Sequence, residues 1–144
     1  MFNRKKKNNK GFTLVELLVV IAIIGILAVV AVPSLMKNID KGKAADIVSE
    51  CNAIRTAAIT RYTDTGTLEI KSSSDILTYL DNLDTSKYTV TGTAATPAKP
   101  GKLTINVKGE GKGRIKELVE ANLGNSADIA TEDTGNLVVV FTLN

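Results

Sequence analysis

Residues 12–32 read FTLVELLVVIAIIGILAVVAV, and Glu16 is the one charge among them. Twenty-one residues at about 1.5 Å each make a helix of roughly 31 Å, the thickness of a bilayer's hydrocarbon layer. No polar side chain interrupts the run from Leu17 to Val32. Residues 1–11 place Arg4, Lys5, Lys6, Lys7 and Lys10 directly ahead of it, with no acid. Basic residues flanking an apolar span favour the cytoplasmic side. The segment is therefore expected to insert with its N-terminus in the cytoplasm and residues beyond about 36 outside.

The net charge of +3 over 144 residues invites a nucleic-acid reading until the charges are located. Without the five in residues 1–11, the 18 basic residues fall to 13 against 15 acidic ones, so the rest of the chain carries −2. Six Phe and Tyr serve the whole chain. A folded basic surface with aromatics for stacking is absent, and nucleic acid is not an expected partner. Histidine is missing and Cys51 is the sole cysteine. A zinc site, a Cys–His nucleophile, a Ser–His–Asp triad and an intrachain disulfide are excluded by inventory. The expectation is a non-enzyme with no cofactor and no metal.

Two ordinary readings compete for the apolar run. A secretory signal peptide ends in a small-residue cleavage site, but PSLMKNIDKGKAADI follows Val32 and offers none. A plain signal anchor explains the hydrophobicity but not Glu16. A carboxylate in hydrocarbon costs about 2.5–3.5 kcal/mol on the insertion scale. One helical turn away stand Phe12, Thr13, Val19 and Val20, none of which pairs with it. Its counter-ion is then expected from elsewhere. A cut between Gly11 and Phe12 would free an α-amino group on a neighbouring copy and meet that need.

Lys10-Gly11-Phe12-Thr13-Leu14-Val15-Glu16, followed by LLVVIAIIGILA to Ala28, resembles the N-terminus of a type IV prepilin. The likeness spans residues 10 to about 36, with looser support to about 62. It implies that residues 1–11 are a cytoplasmic leader removed by a membrane aspartyl prepilin peptidase after Gly11. It implies N-methylation of Phe12 by the same enzyme and an assembly role for Glu16, docked against the amino terminus of the next subunit. Gly25 and Pro33 match the positions where the family's helix loosens. The partners implied are other pilin subunits in a helical homopolymer, the prepilin peptidase, the assembly platform with its ATPase, and the membrane before assembly. The precursor would sit in the inner or cytoplasmic membrane, and the mature chain in a surface pilus for adhesion, motility or surface sensing. The alternative is a pseudopilin of type II secretion or of a DNA-uptake system. The lack of a disulfide points toward a Gram-positive source.

Residues 37–62 continue the helix in amphipathic form. Leu35, Ile39, Ile47, Cys51, Ile54, Ala58 and Tyr62 share one stripe, and Lys37, Lys43, Glu50, Arg55 and Arg61 lie opposite. Thr65-Gly66 ends it, and Cys51 is expected buried. Residues 63–144 read as an α+β head. Ser74 is placed as the cap of a short helix. Tyr88–Thr93, Leu103–Lys108 and Leu137–Leu143 read as strands, the last one central. Arg114–Leu123 reads as a helix with Gly124 at its C-cap, and 125–136 as an exposed polar loop. The fold expected is α+β, a long N-terminal helix packed against a small antiparallel sheet.

Three stretches invite chemistry. Lys108–Gly113 (KGEGKG) sits between a strand and a helix but fits no phosphate-loop pattern. Asp128, Glu132 and Asp133 could ligate calcium, though without EF-hand spacing. Thr91, Thr93 and Thr96, near Pro97 and Pro100, could carry sugars.

Overall fold

The computed structural model describes residues 11–80, 83–95, 101–111 and 113–143. The residues before Gly11, expected as part of a leader, together with Thr96, Pro97, Pro100 and Lys112, lie outside that set. Leu14–Thr65 forms one α-helix, α1, which runs through Gly25 and Pro33 and ends at Gly66 with φ +70°. The chain divides into two compact units between residues 38 and 39.

In the first unit every residue from Gly11 to Asn38 is exposed. In the second unit α1 contributes Ala44, Ile47, Cys51, Ile54 and Ala58 to a shared core. Their spacing of three and four residues is the helical period that presents one stripe inward. The stripe is shorter than its sequence suggested. Ile39 and Tyr62 are each about half exposed, so burial begins at Ala44 and stops at Ala58. Leu35, placed on the same stripe, belongs to the first unit and is exposed.

The residues expected on the solvent face also divide. Arg55 is partly buried, and its guanidinium lies 5.1 Å from the centre of the Phe141 ring. Arg61 is partly buried and donates to the Thr67 carbonyl at 3.1 Å. Long basic side chains lay their methylenes on apolar surface while the charged head finds an electron-rich partner.

Against the stripe packs a four-stranded antiparallel sheet in the order β1-β2-β4-β3, made of β1 (Tyr88–Thr93), β2 (Gly101–Val107), β3 (Asp128–Thr131) and β4 (Leu137–Leu143). Helix α2 (Arg114–Leu123) connects β2 to the β3–β4 hairpin. Alternation in β1 and β2 turns Tyr88, Val90, Leu103, Ile105 and Val107 inward. β4 lies between β2 and β3, and its Leu137, Val139 and Phe141 are fully buried. From α2, Val119 and Leu123 complete the core, with Ile115 and Leu118 packed at its margin. Gly124 stands at the helix C-cap with φ +53°.

Three expectations need correction. The stretch 125–136 contains β3, registered as Asp128↔Val140 through Thr131↔Leu137. Four residues with an aspartate at one end are a typical protected sheet edge, which carries little periodic signal. β2 begins at Gly101 and gives up Lys108, because Gly109 at φ +76° turns the chain there. The short helix before β1 is a single 3-10 turn, Ser73–Ile76, capped at Ser72 and not at Ser74. The Asp75 carboxylate accepts from the Lys71 and Ser72 amides at 2.8 and 3.1 Å. Ser73 instead reaches the sheet, where its Oγ accepts from the Val90 amide at 3.0 Å.

That turn holds the segment before it along the outer edge of β1. Ile70 and Gly92 exchange both backbone hydrogen bonds, at 3.0 and 2.9 Å. Gly92 is required here, since a Cβ would stand 2.6 Å from the Leu68 carbonyl oxygen.

Burial pushes the Cys51 thiol from its ordinary 9.0 up to about 12, with the Glu50 charge acting in the same direction. Burial raises Tyr88 as well. The unfolded thiol releases its proton near 9.0 while the folded one holds it to about 12. Between those values the unfolded state binds fewer protons, so stability falls as pH rises. Urea midpoints should therefore decline above pH 9.0, and less steeply in Cys51→Ala. Phe141→Ala should cost about 3–5 kcal/mol in the same unfolding measurement, as expected for a buried aromatic.

Candidate assembly site

The first unit presents a surface that a soluble chain does not leave bare. Phe12 is 89% exposed, and the apolar side chains from Leu14 to Val32 are all exposed. α1 is long and apolar enough in this region to cross a bilayer, with a mean hydropathy of 3.1 over its most apolar window. A contiguous patch of this kind marks contact with lipid or with other apolar surface.

Glu16 does find a partner on its own helix, contrary to the sequence expectation. Its Oε2 accepts from both the amide and the hydroxyl of Thr13, each at 2.8 Å. In return the Glu16 amide donates to Thr13 Oγ1 at 3.2 Å. The Leu17 amide closes the first helical hydrogen bond on the Thr13 carbonyl at 3.3 Å. Thr13 is thus the N-cap and Glu16 the third helical residue of a reciprocal capping box. The signal was present as Thr13-Leu-Val-Glu16, the T-x-x-E pattern. A search confined to charged partners overlooks it, because Thr13 offers hydrogen bonds and no charge. The carboxylate is solvated by its own helix end but not neutralised.

Gly11 and Gly25 pose a question that the described residues do not answer. A Cβ added to either would meet nothing within 4 Å, and neither has a left-handed φ. Glycine inside a helix costs about 1 kcal/mol relative to alanine. Among the described residues, neither packing nor backbone conformation calls for glycine at these two places. Pro33 is likewise accommodated inside α1 although it lacks the N–H that would bond the Val29 carbonyl.

The turn after β2 and Glu132, two of the other candidates, are engaged by the fold itself. In the turn after β2, the Gly109 amide donates to Asn136 Oδ1 at 3.1 Å and the Gly111 amide to the Gly135 carbonyl at 2.9 Å. Those are the donors a phosphate loop would have to offer. Glu132, one of the three acids considered for calcium, accepts from Asn106 at 2.8 Å, Thr134 at 3.1 Å and Asn136 at 3.4 Å. The hydrogen bonds from Asn106 and Thr134 lead in lowering its pKa. Among the described residues no three His, Cys, Asp or Glu side chains are grouped to hold a metal ion. Thr91 and Thr93 are exposed on the outer face of β1.

Residues 6–32 match the family model described as the prokaryotic N-terminal methylation motif. The chain is 31% identical to a type IV major fimbrial protein FimA of Dichelobacter nodosus, over 96% of this chain and 75% of that one. It is 38% identical to a fimbrial protein of Pseudomonas aeruginosa, over 96% and 82% respectively. A type II secretion system core protein G of Klebsiella michiganensis is 45% identical, but over only 37% of each chain. No solved structure matches the chain.

Gly25→Ala should leave the head untouched and slow amide exchange around residue 25 in detergent. Open space at that position lets the added methyl act through helix propensity alone, by about 1 kcal/mol.

Proposed function

The chain belongs to the type IV pilin family, and from that premise we propose the route by which it enters a filament. It is a structural subunit of a pilus. The precursor inserts through residues 12–36 with its leader, residues 1–11, in the cytoplasm and its head outside. A membrane aspartyl prepilin peptidase cuts after Gly11, and the freed Phe12 amine is methylated by the same enzyme. A glycine that nothing among the described residues requires suits recognition from outside, where a protease subsite can demand the smallest residue.

The uncovered apolar face of residues 12–38 carries this reading. In the membrane, lipid covers it; in a filament, the same face of neighbouring copies does, through dispersion contacts and apolar burial. Once lipid headgroups and water are gone, the neutral donors of Thr13 no longer suffice for Glu16. A buried carboxylate needs a cation, and the ammonium of Phe12 on an adjacent subunit is the group at the right end of the helix. Gly25 and Pro33 weaken α1 locally and allow it to loosen as copies pack. The assembly platform and its ATPase supply the extraction from the membrane. The head forms the outer surface that serves adhesion, motility or surface sensing.

A pseudopilin role draws on the type II secretion relative. Its match reaches over 53 residues, whereas the fimbrial relatives match nearly the whole chain. The head therefore favours the pilus. Mass spectrometry of sheared surface filaments should find N-methyl-Phe12 as the first residue. Glu16→Leu should leave the chain inserted and lower the filament yield by at least tenfold. Normal yield from that variant would remove the assembly role of Glu16.

A further inference from the structure

We propose that residues 67–73 form a strap that closes the outer edge of β1 to strand addition and keeps neighbouring heads from fusing sheet to sheet. β1 stands at one end of the strand order, paired with β2 on its inner side. It reads YTVTGT, six residues rich in β-branched side chains, with no charge and no proline. Such a stretch at a bare edge is a template for pairing with another chain. Subunits packed side by side in a filament would hold that edge against its like at high local concentration. This last consequence rests on the pilus reading; the closure of the edge does not.

The outward amides of β1 are those of Tyr88, Val90 and Gly92, and each already has an acceptor. Tyr88 donates to the Asp84 carbonyl at 2.9 Å and Gly92 to the Ile70 carbonyl at 2.9 Å. Val90 donates to Ser73 Oγ at 3.0 Å. Ile70 returns its amide to the Gly92 carbonyl at 3.0 Å, and the Ser73 hydroxyl points to the Tyr88 carbonyl at 3.5 Å. One backbone bridge and one serine side chain thus take the positions that an added strand would need.

A strap that merely added a strand would move the open edge outward by one position. Here the amides on its far side are turned onto nearby side chains. Glu69 donates to Thr67 Oγ1 at 3.2 Å, and Lys71 and Ser72 donate to Asp75 Oδ2 at 2.8 and 3.1 Å. Glu69 and Lys71 pair with each other at 3.4 Å and put charge on that rim, which discourages edge pairing. Buried Leu68 and Ile70 pin the strap to the core. Arg61 donates to the Thr67 carbonyl at 3.1 Å and ties the start of the strap to α1. The opposite edge of the sheet needs less cover, because β3 has only four residues and begins with an aspartate.

Gly92 offers a way to lift the strap. A Cβ there would stand 2.6 Å from the Leu68 carbonyl oxygen, while valine suits an extended strand better than glycine does. Gly92→Val should therefore keep β1 and eject the strap. The full-length chain in detergent micelles is followed by amide exchange and by light scattering. In the variant the Ile70 and Val90 amides should exchange about tenfold faster or more, while those of Ile105 and Val139 in the middle of the sheet stay protected. The protein mass per micelle should rise about twofold or more above wild type, as β1 edges pair between copies. A synthetic peptide of residues 67–73, added in excess, should reverse that rise by occupying the edge. Ser73→Ala combined with Asp75→Ala loosens the strap without added bulk and should move both readouts the same way, even if Gly92→Val fails to fold. Wild-type exchange at Ile70 and Val90 in that double variant would overturn the proposal. So would fast exchange at those amides with no rise in mass. Neither result touches the pilus reading, which is carried by the apolar face of α1.

Discussion

Everything in this molecule answers to an apolar helix face that the chain does not cover. From Gly11 to Asn38 no residue is buried, and the side chains concerned are Leu, Val, Ile and Phe. At about 25 cal/mol per Å² of apolar surface, the cost of leaving such a face in water is far larger than a small domain's whole stability. The face must be met by lipid or by copies of itself. A polymer of identical subunits offers a continuous supply of the same surface, and this is what makes a filament the natural end state for the chain.

In the proposed assembly, the lone carboxylate in that face gives the association its direction. Dispersion between apolar helices is non-directional and tolerates many registers. A charge in a dry interface does not, because its desolvation is recovered only where a cation stands opposite. The capping box shows how the same carboxylate is tolerated before assembly. Thr13 supplies two donors at 2.8 Å, enough to satisfy the oxygen without removing the charge. A neutral partner in the monomer leaves the carboxylate's charge available for the proposed contact between subunits.

The head solves a different problem, that of a small domain with no cross-link. Cys51 is free and buried, and only one ion pair, Lys71 with Glu69, occurs among the described residues. Stability comes instead from one core shared by α1, the sheet and α2. The hairpin between β3 and β4 is tied to the turn after β2 by backbone and side-chain hydrogen bonds. Thr131 Oγ1 donates to the Gly111 carbonyl at 2.6 Å, and a Cβ at Gly111 would collide with the Asn136 carbonyl. These contacts hold β4 in the middle of the sheet, with both edges already partnered.

Periodicity and composition were enough for the long helix, its end at Gly66, the strands Tyr88–Thr93 and Leu137–Leu143, helix Arg114–Leu123 and the burial of Cys51. Each of those carries its own local signal: an apolar run, an alternating or β-branched stretch, or a glycine at the right place. The N-terminal methylation motif, matched over residues 6–32, was legible for the same reason, since one contiguous segment contains it. Tertiary structure decided the rest. Short β3 exists because β4 offers it a hydrogen-bonding edge, not because Asp-Ile-Ala-Thr insists on being a strand. Arg55 lies over Phe141, distant in sequence, and Gly92 is glycine because Leu68 passes over it. Such choices depend on which surfaces meet across the fold, and a linear pattern records only what each segment prefers alone.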